Sequence, residues 1–192
     1  MTRIRGYLAM SLDGFIAGPN DELAWLQESR QSGLPLAAGE WAREDSGGLE
    51  FEDFLAQVGA IVMGRRTFDI VRGFPEPWAY GDTPMLIVTS SELPEGPGNV
   101  TAFHSGVAEA IDAARDLARG RDVYVDGGRT LRAALDARLL DHLVITVIPT
   151  ALGAGIPLFA GLEQRAEFAI ERVEKWGPGM VQIHLTARGE PL

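Results

Sequence analysis

Residues 60–68 read Ala60-Ile61-Val62-Met63-Gly64-Arg65-Arg66-Thr67-Phe68, an apolar run that leads directly into glycine, two arginines and threonine. The run is typical of a buried strand, and the residues after it are typical of a turn into a helix. A helix N-terminus presents free backbone N–H groups, and Gly64 would let a phosphate approach the backbone closely. Two interpretations stay open: an anion site with Arg65 and Arg66 as added cations, or an ordinary turn with solvated arginines.

Other short apolar runs, bounded by Gly, Pro, Asp or Ser, predict the remaining strands of a sheet. Helical spacing of apolar residues begins at Phe51, at Val107 after a predicted Ser105 N-cap, and near Thr130. Strands that alternate with helices predict a largely parallel α/β sheet. The predicted strands are 3–10, Ala60–Met63, Met85–Thr89, Val123–Val125 and Leu143–Ile148.

The C-terminal part of the chain has a different pattern. Phe168–Trp176 and Met180–Ala187 flank a Gly-Pro-Gly turn, which predicts an antiparallel hairpin that closes a mixed sheet. The length of 192 residues predicts a single domain over 1–189. Residues 27–49 lack sustained periodicity, and we predict that they form a lid-like insertion beside the ligand site.

Composition excludes several classes of function. The net charge of −10, without a long Lys/Arg run, argues against a nucleic-acid partner. The absence of cysteine removes disulfides, thiolate nucleophiles and Cys-based zinc sites, and the three histidines are too widely spaced to predict a metal site. No segment approaches the roughly 18 uninterrupted apolar residues of a membrane span, and no export leader is evident. We therefore predict a cytoplasmic protein that acts on a small molecule.

Two further blocks could hold a nucleotide. Residues 123–131 read VYVDGGRTL and repeat the order of apolar strand, glycine and helix start, so the Gly pair could hold a phosphate. The alternative to a phosphate site is a tight turn with Gly127 or Gly128 at positive φ. Thr89 and Ser90 follow a strand at the edge where α/β sheets bind ligands, or they form a local hydroxyl turn. The common dinucleotide fingerprint G-x-G-x-x-G is absent.

Taken in order, these blocks resemble the dihydrofolate reductase superfamily, in particular the branch with the reductase domain of the bifunctional riboflavin-biosynthesis enzyme. Residues 9–17, AMSLDGFIA, are similar to the S-L-D-G-x-I-A motif of that branch, and 62–68 are similar to the strand-helix motif of folate reductases. Residues 125–131 and 152–159 again resemble the riboflavin branch. The resemblance implies a three-layer fold, with a central, mostly parallel mixed sheet flanked by helices, and a homodimer.

The resemblance also implies NADPH as the cofactor and assigns residues to its parts. Arginines favour a 2′-phosphate independently, because they bind phosphate bidentately and keep their charge. The implied contacts are Ala9 and Ile16 at the nicotinamide, Gly64, Arg65, Arg66 and Thr67 at the adenosine-side phosphates, Thr89 and Ser90 at the 2′-phosphate, and Gly127, Gly128, Arg129 and Thr130 at the pyrophosphate.

The substrate side departs from the family pattern. Folate reductases carry an acid at a position that corresponds, without gaps, to Gly48, so folate reduction is disfavoured. Three residues are candidates for the chemistry. Asp13 could orient a substrate or relay a proton, or it could cap a turn. Glu52 could bind or protonate a substrate, or lie on a solvated helix face, and Thr146 could bind the ligand region or be an ordinary strand hydroxyl.

These observations predict an NADPH-dependent reductase that transfers a hydride to a small heterocyclic or sugar-like substrate, such as a 5-amino-6-ribosylaminopyrimidine. The nicotinamide carries the hydride, so the protein needs mainly to orient the reactants. The alternative is a non-catalytic protein that binds or senses NADPH. The two hypotheses differ in turnover. If NADPH binds but no substrate oxidises it, the non-catalytic protein is favoured over the reductase.

Overall fold

An eight-stranded sheet forms the centre of the computed structural model, which describes residues 2–26, 47–74, 77–94, 96, 99–176 and 179–188. Most of the segment predicted as a lid, 27–46, lies outside the described residues. The strands are β1 (Ile4–Ser11), β2 (Phe15–Ala17), β3 (Val58–Gly64), β4 (Met85–Val88), β5 (Val100–Phe103), β6 (Asp122–Asp126), β7 (His142–Ile148), β8 (Ile156–Pro157), β9 (Phe168–Trp176) and β10 (Met180–Ala187). The helices are α1 (Phe51–Leu55), α2 (Arg65–Val71), α3 (Val107–Ala118) and α4 (Gly128–Asp136).

The strand order is β5-β4-β3-β6-β1-β7-β10-β9. The run from β5 to β7 is parallel throughout, and β10 and β9 add to it antiparallel. The prediction of a mostly parallel mixed sheet with a C-terminal antiparallel hairpin is confirmed. The hairpin pairs on β7, with Ile183 beside Ile145. It therefore brings the C-terminal end of the chain next to the central strands.

The sheet is covered on both faces because side chains alternate along its central strands. On β3, Ala60 and Val62 join the core cluster that includes the buried residues of α3 and α4. Ile61 and Met63 face the other way and join a second cluster with Phe54 of α1 and Phe68 of α2. These four residues of β3 are all fully buried. Helices on two sides of one sheet give the predicted three layers.

Some boundaries differ from the predictions. Helix α4 begins at Gly128, two residues before Thr130, because the positive φ of Gly127 turns the chain directly out of β6. The N-cap of α3 is Gly106, without a side-chain cap, so the Ser105 prediction was wrong. Strands β2 and β8 pair as a separate two-stranded sheet and were not predicted, because two or three residues carry no periodicity.

Two further findings concern the described part of the chain. No helix there is both long and apolar enough to cross a membrane. Within the same residues, no three His, Asp or Glu side chains are placed to hold a metal ion.

Candidate functional site

A cavity of about 1340 Å³ lies at the carboxyl ends of the central parallel strands, where α/β sheets bind ligands. Every residue predicted to contact NADPH lines it, and so do Glu52 and Thr146. Asp13 is not among its described lining residues. The twelve predicted cofactor residues on the cavity wall are Ala9, Ile16, Gly64, Arg65, Arg66, Thr67, Thr89, Ser90, Gly127, Gly128, Arg129 and Thr130.

The two glycine turns pack against each other. Gly127 has φ 93°, and a Cβ there would overlap the Thr67 hydroxyl of the other turn. A Cβ at Gly64 would lie 2.8 Å from the Thr130 hydroxyl. The helices that follow the turns, α2 and α4, have no side-chain N-cap. No capping side chain therefore accepts a hydrogen bond from their first backbone N–H groups. The glycines and the threonines of the two turns therefore lie side by side on the cavity wall.

The arginines of the first turn are engaged in ion pairs. Arg65 Nε donates to both carboxylate oxygens of Asp69, at 3.0 and 2.9 Å, and its terminal nitrogen donates to the Glu92 carbonyl. Arg66 donates to Asp21, at 2.8 Å. The Arg66 side chain is 67% exposed and the Arg65 side chain 32% exposed, so these surface pairs leave both interpretations of the turn open. Both guanidinium groups line the cavity, with a carboxylate already beside each.

The Thr89 hydroxyl makes a local turn at the end of β4. Its oxygen accepts the Ser91 backbone N–H at 3.1 Å, which matches the hydroxyl turn that the sequence left open. Thr89, Ser90 and Ser91 nevertheless all line the cavity. A turn of this kind and a ligand contact are compatible, because a hydroxyl has two acceptor lone pairs and one donor.

Asp126, the last residue of β6, supplies a carboxyl group to the cavity wall. Burial raises the pKa of Asp126 above its ordinary value, although the Tyr80 and Tyr124 hydroxyls and the Gly127 N–H oppose the rise. Tyr80 donates its hydroxyl to Asp126 Oδ2 at 2.8 Å. Burial and the nearby Asp126 charge raise the pKa of Tyr80 well above its ordinary value, so this hydroxyl stays a donor. Asp126 is partly buried, and a partly buried acid with a raised pKa in a cavity is a typical proton donor.

Aromatic side chains surround this acid. Phe51 lies 5.5 Å from Tyr7 between ring centroids, and it meets Tyr80 and Tyr124 edge-on at 6.1 and 6.3 Å. Trp78 extends the group, at 5.2 Å from Tyr80. All five rings line the cavity. Such a wall suits a flat, largely apolar ligand surface, with Asp126 as the polar group that fixes its orientation.

Thr146 belongs to a buried hydrogen-bond network centred on Gln182. The Gln182 amide nitrogen donates to the Thr146 hydroxyl at 3.3 Å and to the Leu49 carbonyl at 3.1 Å. Its oxygen accepts the Leu49 N–H at 2.6 Å. This two-way contact fixes the backbone immediately before α1, which carries Phe51 and Glu52 into the cavity wall. Glu52 itself is exposed at the edge of the cavity.

Gly48 has no room for the acid that folate reductases carry. A Cβ at Gly48 would overlap the indole of Trp176, the last residue of β9, which also lines the cavity. Trp25 is buried in a cluster with Ile148, Trp176 and Met180. The place of the missing carboxylate is therefore occupied by an aromatic ring.

Asp13 lies in the loop between β1 and β2. Its carboxylate accepts hydrogen bonds from the Ser11 hydroxyl at 2.6 Å and from the Gly153 and Leu152 N–H groups at 2.7 and 3.0 Å. These donors lower the pKa of Asp13 to about 2, with Ser11 contributing most. A carboxylate that stays charged at neutral pH and ties two loops together fits the turn-capping alternative better than a proton relay.

Replacing Asp13 with Asn is expected to lower Tm near neutral pH, because the amide loses the charge that these three donors stabilise. Since the pKa of Asp13 is lowered on folding, its carboxylate stabilises the fold above its ordinary pKa of 3.8, and this contribution is lost as pH falls towards 2. Thermal unfolding followed by circular dichroism between about pH 6 and about pH 2 would measure it. A Tm difference between variant and wild type that does not shrink with falling pH would contradict the assignment.

Two cavity residues, Asp126 and Tyr80, and the buried Gln182 behind the cavity wall were not singled out from the sequence. Asp126 directly precedes the Gly pair at the end of a predicted strand. An acid in that position could have been predicted as a site residue from the sequence. Tyr80 and Gln182 gave no local signal, because each acts through a residue distant in the chain: Asp126 for Tyr80 and Leu49 for Gln182.

The fold defines a dihydrofolate-reductase-like domain, with a cavity that both glycine turns line. The model of the RibD C-terminal domain family matches residues 4–182, and the chain belongs to that family. It is also similar to the uncharacterized protein YwjB of Bacillus subtilis strain 168, with 30% identity over 179 residues, which cover 93% of this chain and 94% of YwjB.

Solved structures show the same fold. A protein of Shewanella sp. PV-4, assigned by name to riboflavin biosynthesis, superimposes with a TM-score of 0.79 and 26% identity, over 97% of this chain and 99% of that one. A Thermotoga maritima protein named as a diaminohydroxyphosphoribosylaminopyrimidine deaminase and 5-amino-6-(5-phosphoribosylamino)uracil reductase gives a TM-score of 0.60 at 16% identity. That match covers 97% of this chain and 57% of the Thermotoga protein, and it carries the fold alone.

Proposed function

We propose that the chain is an NADPH-dependent reductase that reduces a C=N or C=O group of a small heterocyclic or sugar-like substrate. Membership of the RibD C-terminal domain family supports a reductase-type function. The observation that carries the proposal is the meeting, in one cavity, of all twelve predicted cofactor residues with the partly buried acid Asp126, whose pKa is raised. A 5-amino-6-ribosylaminopyrimidine, or a related compound, is the first substrate to test.

The residues present fit the cofactor. Gly64, Gly127 and Gly128 have no side chain to cover the backbone of the two turns. A Cβ at any of them would collide with a neighbour; at Gly128 the Cβ would lie 2.6 Å from Ile16 Cδ1. Bare backbone beside two hydroxyls and two arginines is suited to phosphate oxygens. In this proposal the two turns hold the phosphates, Thr89 and Ser90 lie at the 2′-phosphate, and Ala9 and Ile16 flank the nicotinamide.

Bound NADPH would supply the hydride, which adds to the carbon of the polarised double bond. The reaction also needs a proton on the nitrogen or oxygen of that bond, and in this proposal Asp126, which lines the cavity, provides it. Because burial raises its pKa, Asp126 holds a proton to higher pH than an exposed carboxyl does. The aromatic rings that line the same cavity would pack against a flat substrate next to Asp126.

The 2′-phosphate assignment is tested by replacing Arg65 and Arg66 together with Ala. NADPH affinity, measured by isothermal titration calorimetry, is expected to fall by about tenfold to 100-fold, because charge-assisted bidentate contacts are lost. NADH, which lacks the 2′-phosphate, is expected to lose much less. The matched control is Arg115→Ala, an exposed arginine paired with Asp112 on α3, which should leave both affinities unchanged.

Equal losses for NADPH and NADH would contradict the assignment. Turnover is tested separately, by the oxidation of NADPH in the presence of the aminopyrimidine, pterins and simple carbonyl compounds. NADPH that binds and is never oxidised by this panel would favour the non-catalytic binding protein instead.

A further inference from the structure

An ion pair joins two segments of the cavity wall that are far apart in the chain. Arg66 at the start of α2 donates through Nε and through a terminal nitrogen to Asp21 Oδ2, both at 2.8 Å. Asp21 belongs to the short turn after β2, 45 residues earlier. Both side chains line the cavity. The contact therefore links the turn to the arginine that the proposed function assigns to a phosphate.

The backbone that presents Asp21 is strained. Asn20 and Asp21 are consecutive non-glycine residues in the left-handed region, with φ 59° and 64°. Such conformations persist where the surrounding structure over-determines them, and they cluster at switch and ligand sites. The turn is closed by a hydrogen bond of 2.8 Å from the Gly18 N–H to the Glu22 carbonyl. The ion pair to Arg66 is thus formed by a residue that the turn holds in an unfavourable conformation.

We propose that Asp21 competes with the phosphate of the bound dinucleotide for Arg66, so that ligand binding breaks the ion pair and releases the turn. A carboxylate and a phosphate offer a guanidinium the same kind of partner, two oxygens in one plane. Arg66 cannot satisfy both fully through the same nitrogens. The inference rests on the proposed function in one respect, that the arriving anion is a phosphate of NADPH.

The pair between Arg65 and Asp69 provides a contrast. It joins residues four apart on one short helix, so its rupture alone frees no other segment; the contact of Arg65 to the Glu92 carbonyl is made by a different nitrogen. The pair between Arg66 and Asp21 is the one of the two that connects anion binding to a separate loop. Asp21 therefore sets both the affinity of the site for an anion and the order of the turn.

The test is an Asp21→Asn variant in the full chain. Asparagine tolerates the left-handed conformation, so the change removes the charge and keeps the backbone preference. NADPH and inorganic pyrophosphate are each expected to bind about twofold to fivefold more tightly, because no carboxylate has to be displaced from this exposed pair. Hydrogen exchange of residues 18–24 is expected to rise when NADPH is added to the wild type, and to be already high in the variant.

The matched control is Asp112→Asn, which removes the same charge from an exposed Asp–Arg pair outside the cavity wall. It should leave both affinities and the exchange of the turn as in the wild type. An equal gain in the control would overturn the proposal by showing a general charge effect. Weaker or unchanged binding to Asp21→Asn would also overturn it, because Asp21 would then orient Arg66 and not compete for it.

The two proposals fail in different ways. If the wild type binds NADPH and Asp21→Asn gains nothing, the competition is wrong and the cofactor stands. If neither protein binds NADPH but the variant binds pyrophosphate more tightly, the competition stands and the cofactor is wrong. If neither protein binds NADPH or pyrophosphate, both proposals are wrong.

Discussion

An Asp126→Asn variant is expected to fold normally and to lose on the order of 100-fold or more in kcat/KM, because a positioned proton donor contributes that much to a reduction of this kind. The amide has nearly the same shape and can still accept the Tyr80 hydroxyl that now bonds Oδ2. NADPH affinity should change little, since Asp126 is not assigned to the cofactor. Steady-state oxidation of NADPH with the substrate found by the panel would measure the loss.

The pH dependence distinguishes a proton donor from a group that only binds substrate. The pKa of Asp126 is raised by burial, so the wild-type kcat/KM should fall as pH rises through that value and the acid loses its proton. The Tyr80 hydroxyl stabilises the charged form, and Tyr80→Phe should therefore move the alkaline limb to higher pH. A limb that stays in place in Tyr80→Phe, or that persists in Asp126→Asn, would exclude Asp126 as its origin.

The sheet and the glycine turns could be predicted from the sequence because their causes are local. An apolar run such as that of β3 is buried on both faces, and the run itself carries this information. Gly127 was named as a candidate for positive φ, and it has φ 93°. Its neighbour Gly128 is the first residue of the helix.

The chemistry of the site depends on contacts between distant residues, and these were not predictable. The pKa of Asp126 depends on burial and on Tyr80, 46 positions earlier. Counting along the chain showed that Gly48 stands where folate reductases carry an acid. Only the fold shows that Trp176 of β9 occupies the space that the acidic side chain would need. The pairing of Arg66 with Asp21 likewise has no sequence pattern. The motifs and the family resemblance they carry predicted twelve residues that line the cavity, and packing decides what each can do there.

A Gly127→Ala variant is expected to lose about 2–4 kcal/mol of unfolding free energy, the largest stability effect predicted for this cavity. Two causes add: the backbone at φ 93° disfavours any side chain, and the new methyl group would overlap the Thr67 hydroxyl of the other turn. Gly120→Ala separates them, because Gly120 has φ 87° and no atom within 4 Å of the added carbon. Urea unfolding of both variants measures the difference.

The overlap makes a second, sharper expectation possible. Removing the hydroxyl in a Gly127→Ala/Thr67→Ala double variant should restore part of the lost stability, so the two changes should be non-additive. The single Gly127→Ala variant should also bind NADPH at least about tenfold more weakly, because both turns of the proposed phosphate site must move apart to admit the methyl group. The contrary result would be a loss of unfolding free energy in Gly127→Ala equal to that in Gly120→Ala, with no recovery in the double variant. It would show that the two turns are not in close steric contact. The close packing of the two phosphate loops would then lose its support, whereas the acid at Asp126 would be unaffected.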